Sequence, residues 1–166
     1  ASTHVAIDNV LEKIITHKDS DKLLSLINPV RVGDESNVYS ECVRPFVYSN
    51  IMKNVPEDYQ DIVTDSFNLV CGTTIGVLSF PPIFNKVENA KGTSIEALFD
   101  YMILDEASKT TFSEFLVPAV LSKRWIIVGD VKQLAPYVEK NDLVPSLLEC
   151  EPLSKREDRI ALNLLR

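Results

Sequence analysis

Short apolar segments that end in small or acidic residues alternate along this chain with longer amphipathic ones, and this alternation is the feature that most limits the fold. The clearest apolar segments are residues 68–72, 99–104 and 124–128. Each has the length of a strand, and each is separated from the next by a stretch long enough for a helix. Buried strands that alternate with helices are typical of parallel sheets. The sequence therefore predicts an α/β fold in which helices flank a parallel sheet.

Helical spacing of apolar residues predicts a first helix from Val5 to Ile15, with Ser2 or Thr3 as its N-cap and Asp8 in its first turn. The length of 166 residues suits one domain. The other expected elements are a short helix over 21–27, a strand over 29–32, helices around 44–53, after Pro56 and over 108–121, a surface loop over 81–94, and two helical segments beyond Asn141.

The charge of the chain restricts how it could bind an anionic partner. The formal net charge is −7 and the sequence pI is about 4.8. A general positive field for nucleic acid is therefore excluded, and any contact with phosphate must come from local backbone N–H groups, hydroxyls and helix ends. The three cysteines are widely spaced and form no C-x-x-C motif, so neither a disulfide framework nor a zinc site is predicted.

Polar residues follow the ends of three predicted strands, where ligands of open α/β sheets bind. They are Thr73-Thr74, Asp105-Glu106, and Asp130 with Gln133. An apolar strand that ends in Asp-Glu can hold Mg²⁺ beside a nucleotide, with Asp105 anchoring the ion through its waters and Glu106 orienting and deprotonating an attacking water. The simpler alternative is that both acids stabilise the start of the following helix.

A glycine and a neutral amide follow the last predicted strand. The stretch from Gly129 to Pro136 reads Gly-Asp-Val-Lys-Gln-Leu-Ala-Pro. The amide of Gln133 could donate to a γ-phosphate oxygen and accept from a water, and could thereby report whether that phosphate is present. Taken alone, the stretch favours an ordinary turn after a strand.

The two acidic strand ends together resemble superfamily 1 helicases, most closely the branch that includes the nonsense-mediated-decay helicase. Asp105-Glu106-Ala107-Ser108 is similar to the Walker B motif of that family, and Gly129-Asp130-x-x-Gln133-Leu134 is similar to the motif that follows it. The resemblance implies a partial RecA-like (P-loop NTPase) domain over residues 1–166. It also implies ATP and Mg²⁺ as cofactors, with Asp105, Glu106, Asp130 and Gln133 around the nucleotide.

Nucleic-acid contacts are implied by the same resemblance. Residues 1–10 are similar to motif Ia, which gives Ser2, Thr3 and His4 as candidate contacts to the phosphate backbone of single-stranded DNA or RNA. Thr73 and Thr74 match a second pair of hydroxyl contacts, and Pro136 matches a position that packs near a base. The alternative for Ser2 and Thr3 is helix capping, and for Thr73-Thr74 a capped turn; capping and phosphate contact can coexist.

The resemblance also implies parts that the chain does not contain. None of the glycines at positions 33, 72, 76, 92 and 129 belongs to a Walker A motif G-x-x-x-x-G-K-[ST]. We therefore expect a Walker A segment before Ala1, a second RecA-like domain after Arg166, and little ATPase activity in the isolated chain. The sequence has no signal peptide and no membrane-spanning run, so an intracellular protein, cytoplasmic or nuclear, is expected.

Two other functions stay open at the level of sequence. The chain could belong to a degenerate helicase-like module that binds nucleic acid or acts as a scaffold without ATPase activity. It could also be a metal-dependent hydrolase that uses Asp105 and Glu106, with Asp130 as the one plausible additional acid.

Overall fold

The computed structural model describes residues 3–89, 96–130 and 132, and within them four strands form two parallel pairs. β1 (Pro29–Arg31) pairs with β2 (Leu69–Cys71), and β3 (Phe99–Leu104) pairs with β4 (Ser122–Ile127). Every strand is preceded by a helix, as the crossovers of parallel strands require. The predicted α/β class with parallel strands is therefore confirmed.

Six α-helices are described, and most of them match the predictions. They are α1 (His4–Thr16), α2 (Ser20–Leu24), α3 (Tyr48–Met52), α4 (Glu57–Ser66), α5 (Pro81–Asn89) and α6 (Phe112–Ala119). The loop predicted from residue 81 is wrong over 81–89, where α5 forms. Two prolines open this helix, and prolines fit a first helical turn because its N–H groups have no intrahelical acceptor. The expected tail helices beyond Asn141 lie outside the described residues.

The predicted helix over 108–121 is shorter than expected. A 3₁₀ turn covers Ala107–Lys109, and α6 begins only after Thr111. The Thr111 hydroxyl accepts from the backbone N–H of Glu114, and the Glu114 carboxylate accepts from the backbone N–H of Thr111. This reciprocal capping box fixes the start of α6 at Phe112.

An apolar core joins the strand pairs. Val30 and Val32 pack with Phe80, Ile83 and Leu121 in one cluster of buried residues. Partly buried Val70 of β2 and Phe99 of β3 pack against the cluster, as does Phe67 at the end of α4. Phe67 and Phe80 also meet Tyr48 edge to face, with ring centroids 5.7–6.4 Å apart, a favoured arrangement of aromatic rings.

A buried ion pair holds α1 against β1. The Arg31 guanidinium donates from Nε to Asp8 Oδ1 at 3.0 Å, and the two side chains are 1% and 3% exposed. Asp8 Oδ2 accepts from the backbone N–H of Tyr39. Asp8 was expected to act on the helix dipole. Its position is instead explained by Arg31, a charged residue within an otherwise apolar strand that needs a buried partner.

β4 differs from its prediction in burial. The sequence predicts a buried strand at residues 124–128, whereas Trp125, Ile126, Ile127 and Val128 are each about half exposed. Among the described residues β4 pairs with β3 along one edge, and no strand pairs with its other edge. The apolar side chains of β4 therefore lack the cover that a central strand receives. No helix in the described ranges combines the length and apolar character needed to cross a membrane.

Candidate nucleotide and nucleic-acid site

The carboxyl ends of β3 and β4 lie side by side. Leu104 is in register with Ile127, and the Leu104 carbonyl accepts from the backbone N–H of Val128 at 2.8 Å. The chain then turns, and the Val128 carbonyl accepts from the N–H of Ala107 at 3.0 Å. The Asp-Glu pair after β3 and the Gly-Asp pair after β4 are thus brought to one edge, as expected for parallel neighbours.

Gly129 permits this close approach. A Cβ at position 129 would lie 3.1 Å from the backbone nitrogen of Ser108 and 3.3 Å from that of Ala107. The glycine of the Gly-Asp sequence is therefore explained by packing against the turn that follows β3. Asp130 comes next, is exposed, and accepts from the backbone N–H of Lys132 through Oδ1 at 2.9 Å.

Glu106 has an unusual backbone conformation. Its φ of 55° and ψ of 38° lie in the left-handed region, and it is the one described non-glycine residue with positive φ. This conformation costs a β-carbon-bearing residue about 1–2 kcal/mol, and such strain is concentrated at functional sites. The fold therefore holds the backbone of Glu106 in a conformation that its β-carbon disfavours.

Two side chains engage the Glu106 carboxylate. Lys109 Nζ donates to Oε1 at 2.9 Å, and Thr3 Oγ1 donates to Oε2 at 3.2 Å. The hydrogen bond from Lys109 is the largest influence and lowers the pKa of Glu106. Burial is the second and raises it, but the Thr3 hydrogen bond and the charge of Lys109 keep the pKa below its ordinary value. Lys109 was not among the predicted site residues, although its spacing of three residues from Glu106 could have indicated the pair.

Asp105 keeps one carboxylate oxygen free of partners among the residues that the structure describes. Oδ1 accepts from the backbone N–H of Glu106 at 2.9 Å, and Oδ2 makes no hydrogen bond or ion pair with the described residues. A free, half-exposed carboxylate oxygen at a strand end fits Mg²⁺, which takes oxygen ligands and retains most of its waters. No group of three or more His, Cys, Asp or Glu within the described ranges is placed to share one metal ion.

The start of α1 lies at the same edge. Thr3 caps the helix by accepting from the N–H of Ala6 at 3.3 Å, and the same hydroxyl donates to Glu106. The prediction of Thr3 as N-cap is confirmed. His4 Nδ1 accepts from the buried Arg31 guanidinium at 2.9 Å, so one ring nitrogen is already used inside the protein.

Thr73 and Thr74 follow β2 and differ in accessibility. Thr73 Oγ1 accepts from the N–H of Gly76 at 2.9 Å, which forms the capped turn considered as the alternative. Thr74 is 5% exposed, so its side chain is not presented at the surface. Both residues line a cleft between β2 and β3 that Asp105 also lines.

The structure therefore brings together part of the predicted set. Glu106 contacts Thr3 directly, Asp105 shares a cleft with Thr73 and Thr74, and Asp130 follows the segment that packs against the turn after β3. Of the other predicted site residues, His4 contacts Arg31, and Ser2, Gln133 and Pro136 lie outside the described residues.

Comparison with known proteins identifies the family. Residues 48–141, more than half of the chain, match the AAA domain family. The chain belongs to the AAA domain family. The match and the parallel strands identify this AAA domain chain as a partial α/β domain of the RecA-like, P-loop NTPase type.

The AAA domain chain is also similar to curated helicases. DNA replication ATP-dependent helicase/nuclease DNA2 of Gallus gallus is 27% identical over 84% of the chain, and that of Saccharomyces cerevisiae is 30% identical over 84%. Putative ATP-dependent RNA helicase ECM32 of Saccharomyces cerevisiae is 24% identical over 90%. The chain spans 12%, 8% and 15% of these three relatives.

Proposed function

We propose that this chain is the part of an ATP-dependent helicase that couples nucleotide hydrolysis to the binding of single-stranded DNA or RNA. The observation that carries the proposal is the hydrogen bond between Thr3 and Glu106. It joins the start of α1, the proposed nucleic-acid contact, to the proposed water-activating carboxylate. The helicases named above support the proposal, because their names describe ATP-dependent action on DNA or RNA. Assignment to the nonsense-mediated-decay branch belongs to the proposal as well.

The proposed chemistry assigns separate tasks to the two acids. Asp105 holds Mg²⁺ through its free oxygen, and the ion supplies positive charge to the phosphate oxygens when ATP is bound. Glu106 accepts the proton of the attacking water. Lys109 and Thr3 each donate to one of its oxygens and lower its basicity, so the loss of either donor would make Glu106 a stronger base.

Bound nucleic acid could remove one of these donors from Glu106. The N–H groups and positive dipole end at the start of α1 favour a phosphate, and the Thr3 hydroxyl can donate to that phosphate instead of to Glu106. Gln133 completes the proposed nucleotide site, and Ser2, His4, Thr73 and Pro136 complete the proposed nucleic-acid contacts, while Thr74 is too buried to reach a phosphate directly. Because the chain is acidic, these contacts are local and independent of a general positive field.

The test is ATP hydrolysis by the longer protein that carries this chain, with and without single-stranded DNA and RNA. Glu106→Gln should lower kcat by about 10²–10⁴-fold while nucleotide binding is kept, because the amide cannot accept the proton. Asp100→Asn is the matched control, since Asp100 is an exposed acid on β3 outside the site. Wild-type kcat in Glu106→Gln would refute the assignment. Nucleic-acid binding without any hydrolysis by the unmutated protein would support the degenerate module instead.

A further inference from the structure

Tyr39 is an exposed aromatic residue whose backbone is held inside the protein. The residue is 71% exposed, and its ring and hydroxyl make no hydrogen bond or ring contact with the described residues. Its backbone N–H donates to Oδ2 of the buried Asp8 at 2.8 Å. A tyrosine has few side-chain torsions to immobilise, so a ring carried by a fixed backbone loses little conformational freedom when it binds a partner.

The contact with Asp8 attaches Tyr39 to the first turns of α1. The buried Arg31 guanidinium donates to Asp8 and also contacts His4, one turn earlier in the helix. Side chains of a helix lean toward its N-terminus, so the Asp8 carboxylate lies over the turn that contains His4. Thr3, next to His4, caps the helix. Tyr39 is therefore held close to the start of α1, where we propose that a nucleic-acid phosphate binds.

The chain reaches Tyr39 from the carboxyl end of β1. β1 is parallel to β2, so the loop after β1 leaves the sheet at the same edge as Thr73, which follows β2. Ligands of open α/β sheets bind at the edge formed by the carboxyl ends of the strands. The position of Tyr39 along the chain and its contact with α1 thus both place it at the edge of the candidate site.

The charges around Tyr39 favour a base over a phosphate as its ligand. Residues 32–43 contain three acids and neither lysine nor arginine. Glu35 pairs with Lys53 and Glu41 pairs with Arg44, which weakens their repulsion of a nearby phosphate without attracting one. An aromatic ring stacks on the flat face of a base and needs no net positive charge for this contact. Stacking therefore suits a chain with a net charge of −7.

Two other exposed tyrosines lack this combination of features. Tyr101 is 53% exposed, but Arg124 lies 5.5 Å from its ring centroid and donates to its hydroxyl. Tyr59 is 58% exposed and lies on α4, which has acids in its first turn and no basic residue. Tyr39 is thus distinguished by an unoccupied ring and by its attachment to α1.

We propose that the ring of Tyr39 stacks on a base of the single-stranded DNA or RNA whose phosphate lies at the start of α1. This inference rests on the proposed function, because a strand must be bound there. It adds a contact that depends neither on phosphate charge nor on nucleotide sequence, since every base has a face on which a ring can stack.

Equilibrium binding of oligo-dT and oligo-U to the longer protein that carries this chain tests the contact. Tyr39→Ala should weaken binding by about 5–150-fold, the range expected for loss of one stacked base. Tyr39→Phe and Tyr39→Trp should retain the affinity, because each keeps an aromatic face. Tyr59→Ala is the matched control and should bind as the unmutated protein does. Equal affinities for Tyr39→Ala and Tyr59→Ala would overturn the inference, whereas an unmutated protein that binds neither oligonucleotide would overturn the proposed function itself.

An abasic strand separates stacking from a structural defect. On an oligonucleotide of the same length built only from sugar-phosphate units, Tyr39→Ala should bind as tightly as the unmutated protein, because no base is present to stack. The salt dependence of binding should also be the same for both proteins, since a neutral ring displaces no counterion. A Tyr39→Ala variant that loses equal affinity for the abasic and the base-containing strand, or whose circular dichroism shows lost structure while Tyr39→Phe also binds weakly, would overturn the inference.

Discussion

Removing the carboxylate of Asp8 should destabilise the protein strongly. The Arg31 guanidinium is 1% exposed and would keep its charge while losing its anionic partner. Breaking a buried ion pair from one side costs about 3–5 kcal/mol, because an uncompensated charge remains inside. The backbone N–H of Tyr39 would also lose its acceptor, which adds a penalty of the order of 1 kcal/mol. We therefore expect Asp8→Ala to lower the free energy of unfolding by about 4–6 kcal/mol.

Urea unfolding followed by far-UV circular dichroism measures this loss. Asp100→Ala is the matched control, since the Asp100–Lys123 pair has the same 2.9–3.0 Å geometry but side chains that are 76% and 64% exposed. Exposed pairs contribute about 0–1 kcal/mol. Replacing both buried partners, with Asp8→Leu and Arg31→Met, should recover most of the stability because no charge is left buried. Equal losses for Asp8→Ala and Asp100→Ala would refute the reasoning.

Four further changes probe the site and its supports. Gly129→Ala should destabilise the protein by about 1–3 kcal/mol in urea unfolding, since its Cβ would press on the turn after β3; unchanged stability would contradict that packing. Lys109→Ala should raise the pKa of Glu106 toward its ordinary value. The acidic limb of the pH–rate profile for ATP hydrolysis should then move to higher pH, because the base must be ionised, and a shift to lower pH would contradict the contact. Thr111→Ala should cost about 1 kcal/mol of unfolding free energy and Thr111→Ser much less, so equal losses would argue against the cap. Burial of its sulfur raises the pKa of Cys71 to about 11, so iodoacetamide at pH 8 should leave it unmodified until urea unfolds the protein, and rapid labelling of the folded protein would contradict that burial.

Local signals in the sequence were sufficient to predict most elements. The helical spacing after Thr3 and its hydroxyl predict both α1 and its cap, and the apolar run that ends before Asp105 predicts β3. These signals are contained within a few residues, so no tertiary information is needed to interpret them. The helix α5 was missed because Pro81-Pro82 was interpreted as a loop signal, although prolines are also common in the first turn of a helix.

Contacts between distant residues set the limit of prediction. Asp8 and Arg31 are 23 positions apart, and Thr3 and Glu106 are 103 apart, so no local spacing could pair them. The burial of β4 was overestimated for the same reason. An apolar run indicates a strand that can be buried, but burial also depends on which distant segment packs against it. The residue types of the candidate site could be predicted from the sequence. The hydrogen bonds from Lys109 and Thr3 to Glu106 became known only from the structure.

The open side of β4 has a consequence for handling the chain in solution. Trp125, Ile126, Ile127 and Val128 are each about half exposed, and no strand among the described residues pairs with the second edge of β4; unpaired edges recruit the edges of other molecules. The net charge of −7 keeps molecules of this chain apart, but salt screens that repulsion over about 10 Å at 0.1 M. Preparations of these 166 residues should therefore remain monomeric longest at low ionic strength and turn turbid as salt is added, even without heating.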